Sequence, residues 1–459
     1  MTLVDDRVAA LLADHPRVRD ARVEAGPGGA RTAVLTSRPV PAAGPDRVSG
    51  LQSMYESLYS RTDAPEDPAF DVLGWTSSYD GEPMAADAMR EWVDQTVARI
   101  LARRPARVLE LGCGTGLLMA RIAPHCDRYW ATDFSVSALR RARRAVTDVA
   151  VARRIRLLHR RAEDFSGLPS DVDGVVLNSV VQYFPDLDYL REVLAGAVAA
   201  TRPGGTVFVG DVRSLPLLGV FHASVVAATG RDLEPAARAA AVRRRVAIDQ
   251  ELVVAPAWFT ALPGTLPGVA AVEIRPKVAT CRNELTMFRY DVVVHVGERP
   301  DPVVVPWTDG RALTDPAALR ATLEHDSPAV LAVSAIPNAL VAPALADWEA
   351  IRRGTPTVPW HEGSAPADAT AHRLTGLAAG LPYRLRLGLT AGRADGALDA
   401  VWVRAGGPAP EAIVMPAAVD PGPPANRGGA GLPSHDELAA FLRPWLPADL
   451  LPRSFVWTA

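Results

Sequence analysis

The feature that most limits what this chain can fold into is the stretch 107–119, R-V-L-E-L-G-C-G-T-G-L-L-M. Val108, Leu109 and Leu111 form a short apolar run of the kind that becomes a buried parallel strand. Gly112, Gly114 and Gly116 follow at alternate positions, and Leu117, Leu118, Ile122 and Ala123 then recur at helical spacing. A strand that turns through glycines into a helix leaves backbone N–H groups free where a ligand can approach closely. About twenty residues further on, the strand-like run Tyr129, Trp130, Ala131, Thr132 ends on Asp133, a carboxylate placed to hold ribose hydroxyls.

The glycine spacing selects among ligands. In a G-x-G-x-x-G fingerprint the third small residue would fall at 117, where Leu117 stands, and this disfavours a dinucleotide. A phosphate loop of the G-x-x-x-x-G-K form is excluded because no lysine follows. Lys277 is the only lysine in the chain, so Schiff-base or lysine-dependent phosphate chemistry could rest on it alone. What remains, E-L-G-C-G-T-G followed by A-T-D-F-S, resembles the S-adenosylmethionine (SAM) site of class I methyltransferases.

That resemblance implies an α/β fold, Rossmann-like, with a mainly parallel, doubly wound sheet. It implies Glu110 and the loop Gly112, Cys113, Gly114 and Gly116 around the methionine portion of SAM, with Asp133 and Phe134 at the ribose. The adenine contact is expected in R-A-E-D-F (161–165), where Asp164 is preferred to Glu163 as acceptor and Phe165 lies against the ring. Asn178, at the end of a fourth strand, and Tyr79 complete the expected cofactor set. Gln182 and Tyr183 follow that strand end, where ligands of open α/β sheets bind, and are expected to face the substrate.

Composition narrows the partners. Apolar residues make up 48% of 459 and charged residues 22%, which suits an ordinary soluble protein with a core and more than one domain. A net charge of −3 gives no reason to expect nucleic acid or an anionic membrane. Cys113, Cys126 and Cys281 lie far apart without C-x-x-C spacing, so neither a disulfide framework nor a zinc site is indicated and a cytoplasmic location is expected. No metal is implied. There is no signal-like segment and no apolar run of about eighteen residues that could span a membrane.

Strand and helix patterns alternate from 89 to 213: a helix over 89–101, strands at 156–159 and 174–178, a helix over 190–200, and a turn plus fifth strand in 201–213. An arginine-rich helix is expected at 236–251. Before the first strand, the helix bearing Tyr55 and Tyr59 and the segment G-W-T-S-S-Y-D-G resemble the N-terminal lid of methyltransferases embedded in peptide and polyketide synthetases. Tyr55, Tyr59 and Trp75 there either contact ligand or pack the cap onto the sheet. Three later blocks, at 211–225, 251–259 and 282–296, resemble the same synthetase-type enzymes, so the likeness runs over about 50–297. One departure is A-W-F, where Trp258 replaces the first of two paired phenylalanines.

The two ends carry a different likeness. L-L-A-D-H-P-R-V-R-D-A-R-V-E near the start, and L-A-A-F-L-R-P-W-L-P-A-D-L-L-P-R-S-F-V-W near the finish, resemble the small C-terminal subdomain of adenylation domains. They are expected to form a smaller α+β accessory domain without adenylating activity, with a hairpin turn at 26–29 and a linker at 39–45. The expected divisions are 1–45, 46–297 and 298–459. Within the last, strands are expected at 330–342, 383–389 and 398–404, and a Pro/Gly-rich loop at 406–433.

Methyl transfer requires the acceptor to lose a proton, so a base is useful. His222 follows the fifth strand, where the resemblance puts the substrate, and is the first candidate. Glu251 is the second, as a partner for a substrate ammonium or a proton relay. Asp211, Arg213, Asn283 and Arg289 are candidate pocket residues. Three functions stay open at this point. The chain is a methyltransferase of secondary metabolism acting on N, O or activated C of an amino-acid- or polyketide-derived molecule, free or delivered by a separate carrier protein. Alternatively the fold is turned to an intramolecular cyclisation, or it is a non-catalytic docking module. A homodimer is the expected assembly.

Overall fold

A computed structural model of the chain describes residues 3–15, 18–25, 30–37, 46–61, 63, 65–230, 232–312, 316–358, 363–364, 370–419, 422–426 and 435–458. The expected turn at 26–29, the linker at 39–45 and parts of the 406–433 loop lie outside these residues.

Seven strands form the central sheet: β1 (Arg107–Leu111), β2 (Arg128–Asp133), β3 (Ile155–His159), β4 (Val172–Asn178), β5 (Thr201–Arg213), β6 (Val269–Pro276) and β7 (Arg289–Val296). Their spatial order is β3-β2-β1-β4-β5-β7-β6. The first five are parallel, and β7 runs against both of its neighbours. The apolar runs become central strands because both faces are covered. Leu109, Leu111 and Leu177 enter one core, whereas Val108 and Val176, one residue away, enter the core on the other face.

Helices fill the connections: α1 (Asp46–Arg61), α2 (Ala86–Leu101), α3 (Val136–Arg144), α4 (Leu187–Ala200), α5 (Leu218–Thr229), α6 (Pro235–Ile248) and, much later, α7 (Ala342–Arg353). α4 buries Leu190, Val193, Leu194 and Ala197 at helical spacing on one face of the sheet. α2 buries Met89, Trp92, Val93 and Ile100 on the other. This is the doubly wound, mainly parallel α/β sheet that the glycine stretch implied.

Among the described residues two larger sheets accompany the central one, beside the short antiparallel pairing of Cys281–Arg282 with Gly363–Ser364. Thr308–Asp309, Val330–Ile336, Leu398–Arg404 and Tyr383–Gly388 form a four-stranded sheet in that order. The strand expected at 330–342 stops at Ile336, and α7 begins at Ala342 with a proline in its first turn. At the two ends of the chain, Val18–Ala25 and Arg31–Ser37 pair antiparallel, and Ser454–Thr458 adds parallel to the second of them. Leu3–Ala13 and His435–Leu442 close this sheet over a core that includes Leu12, Leu35, Leu438 and Leu442. A smaller α+β unit therefore forms from both ends. It touches the rest through Trp445, edge-on to Trp348 of α7 at 5.3 Å, and through Arg243 to Asp14 at 2.8 Å.

Candidate active site

A cavity of about 550 Å³ opens where β1, β2, β4 and β5 end. Its floor is the glycine loop. Gly112, Gly114 and Gly116 have φ of +76°, +52° and +86°, a region that side chains resist. The N–H groups of Gly112 and Cys113 both donate to the Thr132 carbonyl at 2.9 Å, which ties the loop to the end of β2. A Cβ at Gly116 would meet the Ala142 backbone at 2.9 Å. Gly116 therefore serves the approach of α3, and it does not line the cavity.

Two carboxylates border this floor. Asp133 accepts from Gly114 N–H through Oδ2 and from Ser135 N–H through Oδ1, each at 2.8 Å. Each oxygen keeps a further lone pair for a ligand. Burial pushes its pKa up to about 6 in spite of those amides. Glu110 accepts from the Tyr129 hydroxyl at 2.9 Å, and burial pushes its pKa up to about 7. A buried acid poised this way is stabilised in its ionised form by a cation placed beside it.

α1 covers the opening. Gln52 donates to the Phe134 carbonyl at 2.7 Å. The rings of Tyr55 and Tyr59 stack at 5.7 Å, and Tyr55 lies 5.3 Å from Tyr183 and 6.2 Å from Phe134. All four line the cavity, as do Trp75, Asn178 and Gln182. Burial pushes the Tyr55 and Tyr59 hydroxyls well above their ordinary pKa, so these phenols stay neutral.

A second group of charges stands opposite the glycine loop. His222, on α5, bonds through Nε2 to Asp249 Oδ2 at 2.9 Å. Arg213 grips Asp249 with NH1 and NH2 at 2.9 and 2.8 Å and reaches Glu251 Oε2 at 2.9 Å. Burial works the other way, yet the bonds from His222 and Arg213 hold Asp249 well below the usual carboxylate range. Asp249 is then an acceptor only, so Nε2 carries the proton and Nδ1 carries a lone pair. His222 Nδ1 is buried without a hydrogen-bond partner among the described residues, as are Gln182 Oε1 and Asn178 Oδ1. The three residues line the cavity, but these atoms are covered by protein; Asn178 Oδ1 lies against Gly210 of β5, where a Cβ would meet it at 2.0 Å.

The stretch that carries Glu251 is itself strapped down. Asn426 accepts from Val253 N–H and donates to the Glu251 carbonyl, both at 2.9 Å.

Several expected contacts fall elsewhere. Asp164 is half-buried, accepts from Ser166 and pairs with Arg160, and is absent from the cavity lining. The Phe165 ring lies on Gly196 of α4, where a Cβ would come within 2.2 Å. Arg160, Arg161 and Ala162 line the cavity in their place. Tyr79 packs beside Phe221 and Phe288 and its hydroxyl meets Ser224 Oγ at 2.9 Å, outside the cavity lining. Asn283 caps the short helix Glu284–Met287 by accepting from Thr286 N–H at 3.0 Å. Asp211 lies behind the wall and reaches the cavity through Arg289, which donates to its Oδ2 at 2.7 Å.

Asp249, Ser179 and Glu284 line the cavity without having been anticipated. The signal for Asp249 was an acid two residues before Glu251. Lys277 is buried against two aspartates and is closed to Schiff-base chemistry. Among the described residues no three metal-binding side chains gather, the three cysteines are free, and no helix is long and apolar enough to cross a membrane.

Residues 109–207 match a family model described as a methyltransferase domain. Chondramide synthase cmdD of Chondromyces crocatus is 39% identical over 422 residues, covering 86% of this chain and 11% of the synthase. The nonribosomal peptide synthetase asqK of Emericella nidulans is 38% identical over 281 residues, covering 58% of this chain and 11% of its own. The chain thus spans about a tenth of the length of these relatives. Among solved structures, the N-methyltransferase NodS of Bradyrhizobium japonicum WM9 with S-adenosyl-L-homocysteine is 19% identical, with 54% of this chain and 98% of that chain covered at a TM-score of 0.35.

Proposed function

We propose that the chain is a SAM-dependent methyltransferase of natural-product assembly, acting on an amine, hydroxyl or activated carbon of an amino-acid-derived acceptor. One observation carries this reading: Asp133, pinned by the Gly114 and Ser135 amides over the glycine loop, lines the same cavity as His222, whose imidazole is oriented by Asp249. The residues on the floor suit SAM. Free lone pairs on Asp133 match two ribose hydroxyls, Glu110 matches the ammonium of the methionine portion, and the aromatic rings of α1 suit a cationic sulfur. SAM supplies an electrophilic methyl group, and the chain's own residues do the rest.

The acceptor must lie about 3–3.5 Å from the methyl carbon, on the face opposite sulfur. His222 Nδ1 takes the acceptor's proton. Asp249 keeps the imidazole in the tautomer that allows this and stabilises the imidazolium that forms. Arg213, Asp249 and Glu251 together carry one net negative charge, so protonation of His222 leaves the cluster neutral. α1 and its tyrosines exclude water, which would otherwise weaken these electrostatic interactions.

The test is incubation of the full chain with methyl-labelled SAM and a panel of amino-acid-derived amines and alcohols. Label should appear in an acceptor. Asp133→Ala should weaken SAM binding by roughly a hundredfold, the value of two hydrogen bonds to a charged group, with an unchanged circular dichroism spectrum. Absence of SAM binding to the unaltered chain at millimolar concentration would remove the proposal.

A further inference from the structure

The chain has one lysine among 49 basic residues, and the structure buries it. Lys277 Nζ sits 2.7 Å from Asp291 Oδ1 and 3.2 Å from Asp211 Oδ1, with the Trp92 ring centroid at 5.9 Å. Arginine serves at every other basic position, so this site selects against it. The reason is geometric. An ammonium can donate to two carboxylates from a single atom, whereas a guanidinium is planar and larger. The space beside Lys277, about 10 Å³ between Trp92, Thr96, Arg99 and Asp291, holds at most one water and no guanidinium.

What the lysine holds is a strained aspartate. Asp211 is fully buried with φ +66°, a conformation costly for a non-glycine residue and retained only where surroundings enforce it. Its N–H donates to Asp291 Oδ1 at 2.9 Å. Its carboxylate accepts from Trp92 Nε1 at 3.1 Å, from Ser179 Oγ at 2.8 Å and from Arg289 NH1 at 2.7 Å. Ser179 is strained in the same way, with φ +57°. Of this cluster, Trp92, Ser179 and Arg289 line the cavity, Ser179 directly after β4 and Arg289 at the start of β7. Lys277, Asp211 and Asp291 stand behind them.

We propose that Lys277 is a positioning residue: by clamping Asp211 to Asp291 it fixes Arg289, with Ser179 bonded to the same carboxylate beside it, as the cation that receives an acceptor's carbonyl or carboxylate oxygen. This assignment rests on the methyltransferase reading for its ligand and on the packing alone for its geometry. A guanidinium held through one nitrogen by a carboxylate presents its remaining N–H donors in a fixed direction, which suits an oxygen adjacent to the atom being methylated, while Ser179, its own proton given to Asp211, steadies that carboxylate.

The test compares the full chain with Lys277→Met and Lys277→Gln. The methionine variant leaves two aspartates facing Arg99 and Arg289, a balanced set that favours folding, and the glutamine variant restores N–H donors if the methionine one does not fold. S-adenosylhomocysteine affinity by calorimetry should stay within about threefold, because Glu110, Asp133 and the glycine loop make their hydrogen bonds outside the cluster. KM for the acceptor found in the labelling experiment should rise about tenfold or more in Lys277→Met, as for one lost charge-assisted hydrogen bond. It should recover in part in Lys277→Gln, whereas a merely structural defect would lower kcat with the folded fraction and leave KM alone. Crystal structures of the variants should show Arg289 and Ser179 displaced from Asp211. Unmoved Arg289 and Ser179, or an unchanged acceptor KM, overturns the proposal. If the unaltered chain methylates nothing, the functional reading fails separately, and the crystal structures still decide the role of Lys277.

Discussion

At His222 a single hydrogen bond decides what the side chain can do. With Nε2 committed to Asp249, the other nitrogen keeps its lone pair in a side chain that lines the cavity. His222→Ala should therefore lower kcat by about 10²–10⁴-fold, the range for a lost general base, while S-adenosylhomocysteine affinity is spared. Burial lowers the His222 pKa from 6.5, against the pull of Asp249, so the neutral form already prevails below that pH. The kcat profile should rise with pH through a value under 6.5 and then stay flat to pH 8. Which residues could be found in advance follows from what fixes each one. Asp133 and Glu110 were legible because glycine spacing fixes the strand ends around them. Asp249 was not, since two acids at 249 and 251 give no hint of which one turns to the imidazole. Asp164 and Phe165 misled because a family position fixes a loop and not the side chain's direction. Ser166 and Gly196 decide that direction here.

The lid helix α1 is held at one point of concentrated bonding. Glu56 accepts from the hydroxyls of Ser135 and Ser137, both at 2.6 Å, and from Ser137 N–H at 3.1 Å. Its carboxylate thus rests on the N-terminus of α3, where unpaired amides and the helix dipole favour an anion. Burial opposes ionisation, but these bonds hold the Glu56 carboxyl below its ordinary pKa. Glu56→Gln should raise amide hydrogen exchange across α1 by about tenfold, as for one lost charged hydrogen bond, with β1 and β4 unchanged. Mass spectrometry of exchanging peptides reads this directly. Elements whose period matches their burial were plain in the sequence: β1, β2, β4 and α4 each show one pattern throughout. α7 was hidden because the apolar run before it belongs to a strand, and only the Pro337–Asn338 break separates the two.

Across the whole molecule, one buried carboxylate fastens the four-stranded sheet to the central one. Glu273 of β6 receives Arg103, just past α2, at 3.2 Å, His295 of β7 at 2.6 Å and Arg275 at 2.7 Å, and lies 3.8 Å from Arg386 of the neighbouring sheet. Burial alone would raise its pKa, but the His295 hydrogen bond and the arginine charges hold it far below the usual carboxylate range. A carboxyl depressed in this way adds stability above pH 4 that is lost as pH falls. Glu273→Gln should cost about 3 kcal/mol at pH 7 in urea unfolding, as for a broken buried pair, and the gap from the unaltered chain should narrow on acidification below pH 4. Charges that meet across sheets leave no periodic trace, so none of this clasp could be read beforehand. The terminal unit has a different consequence. Thr32 and Ser454, whose hydroxyls meet at 2.9 Å, are 422 residues apart. Closing so long a loop in a disordered chain costs roughly 5 kcal/mol in entropy, and a folded interior that already brings the ends together removes much of that. During synthesis the hairpin and the helix before it are made long before Leu438, Leu442 and the closing strand, so this core is completed only when those later residues emerge.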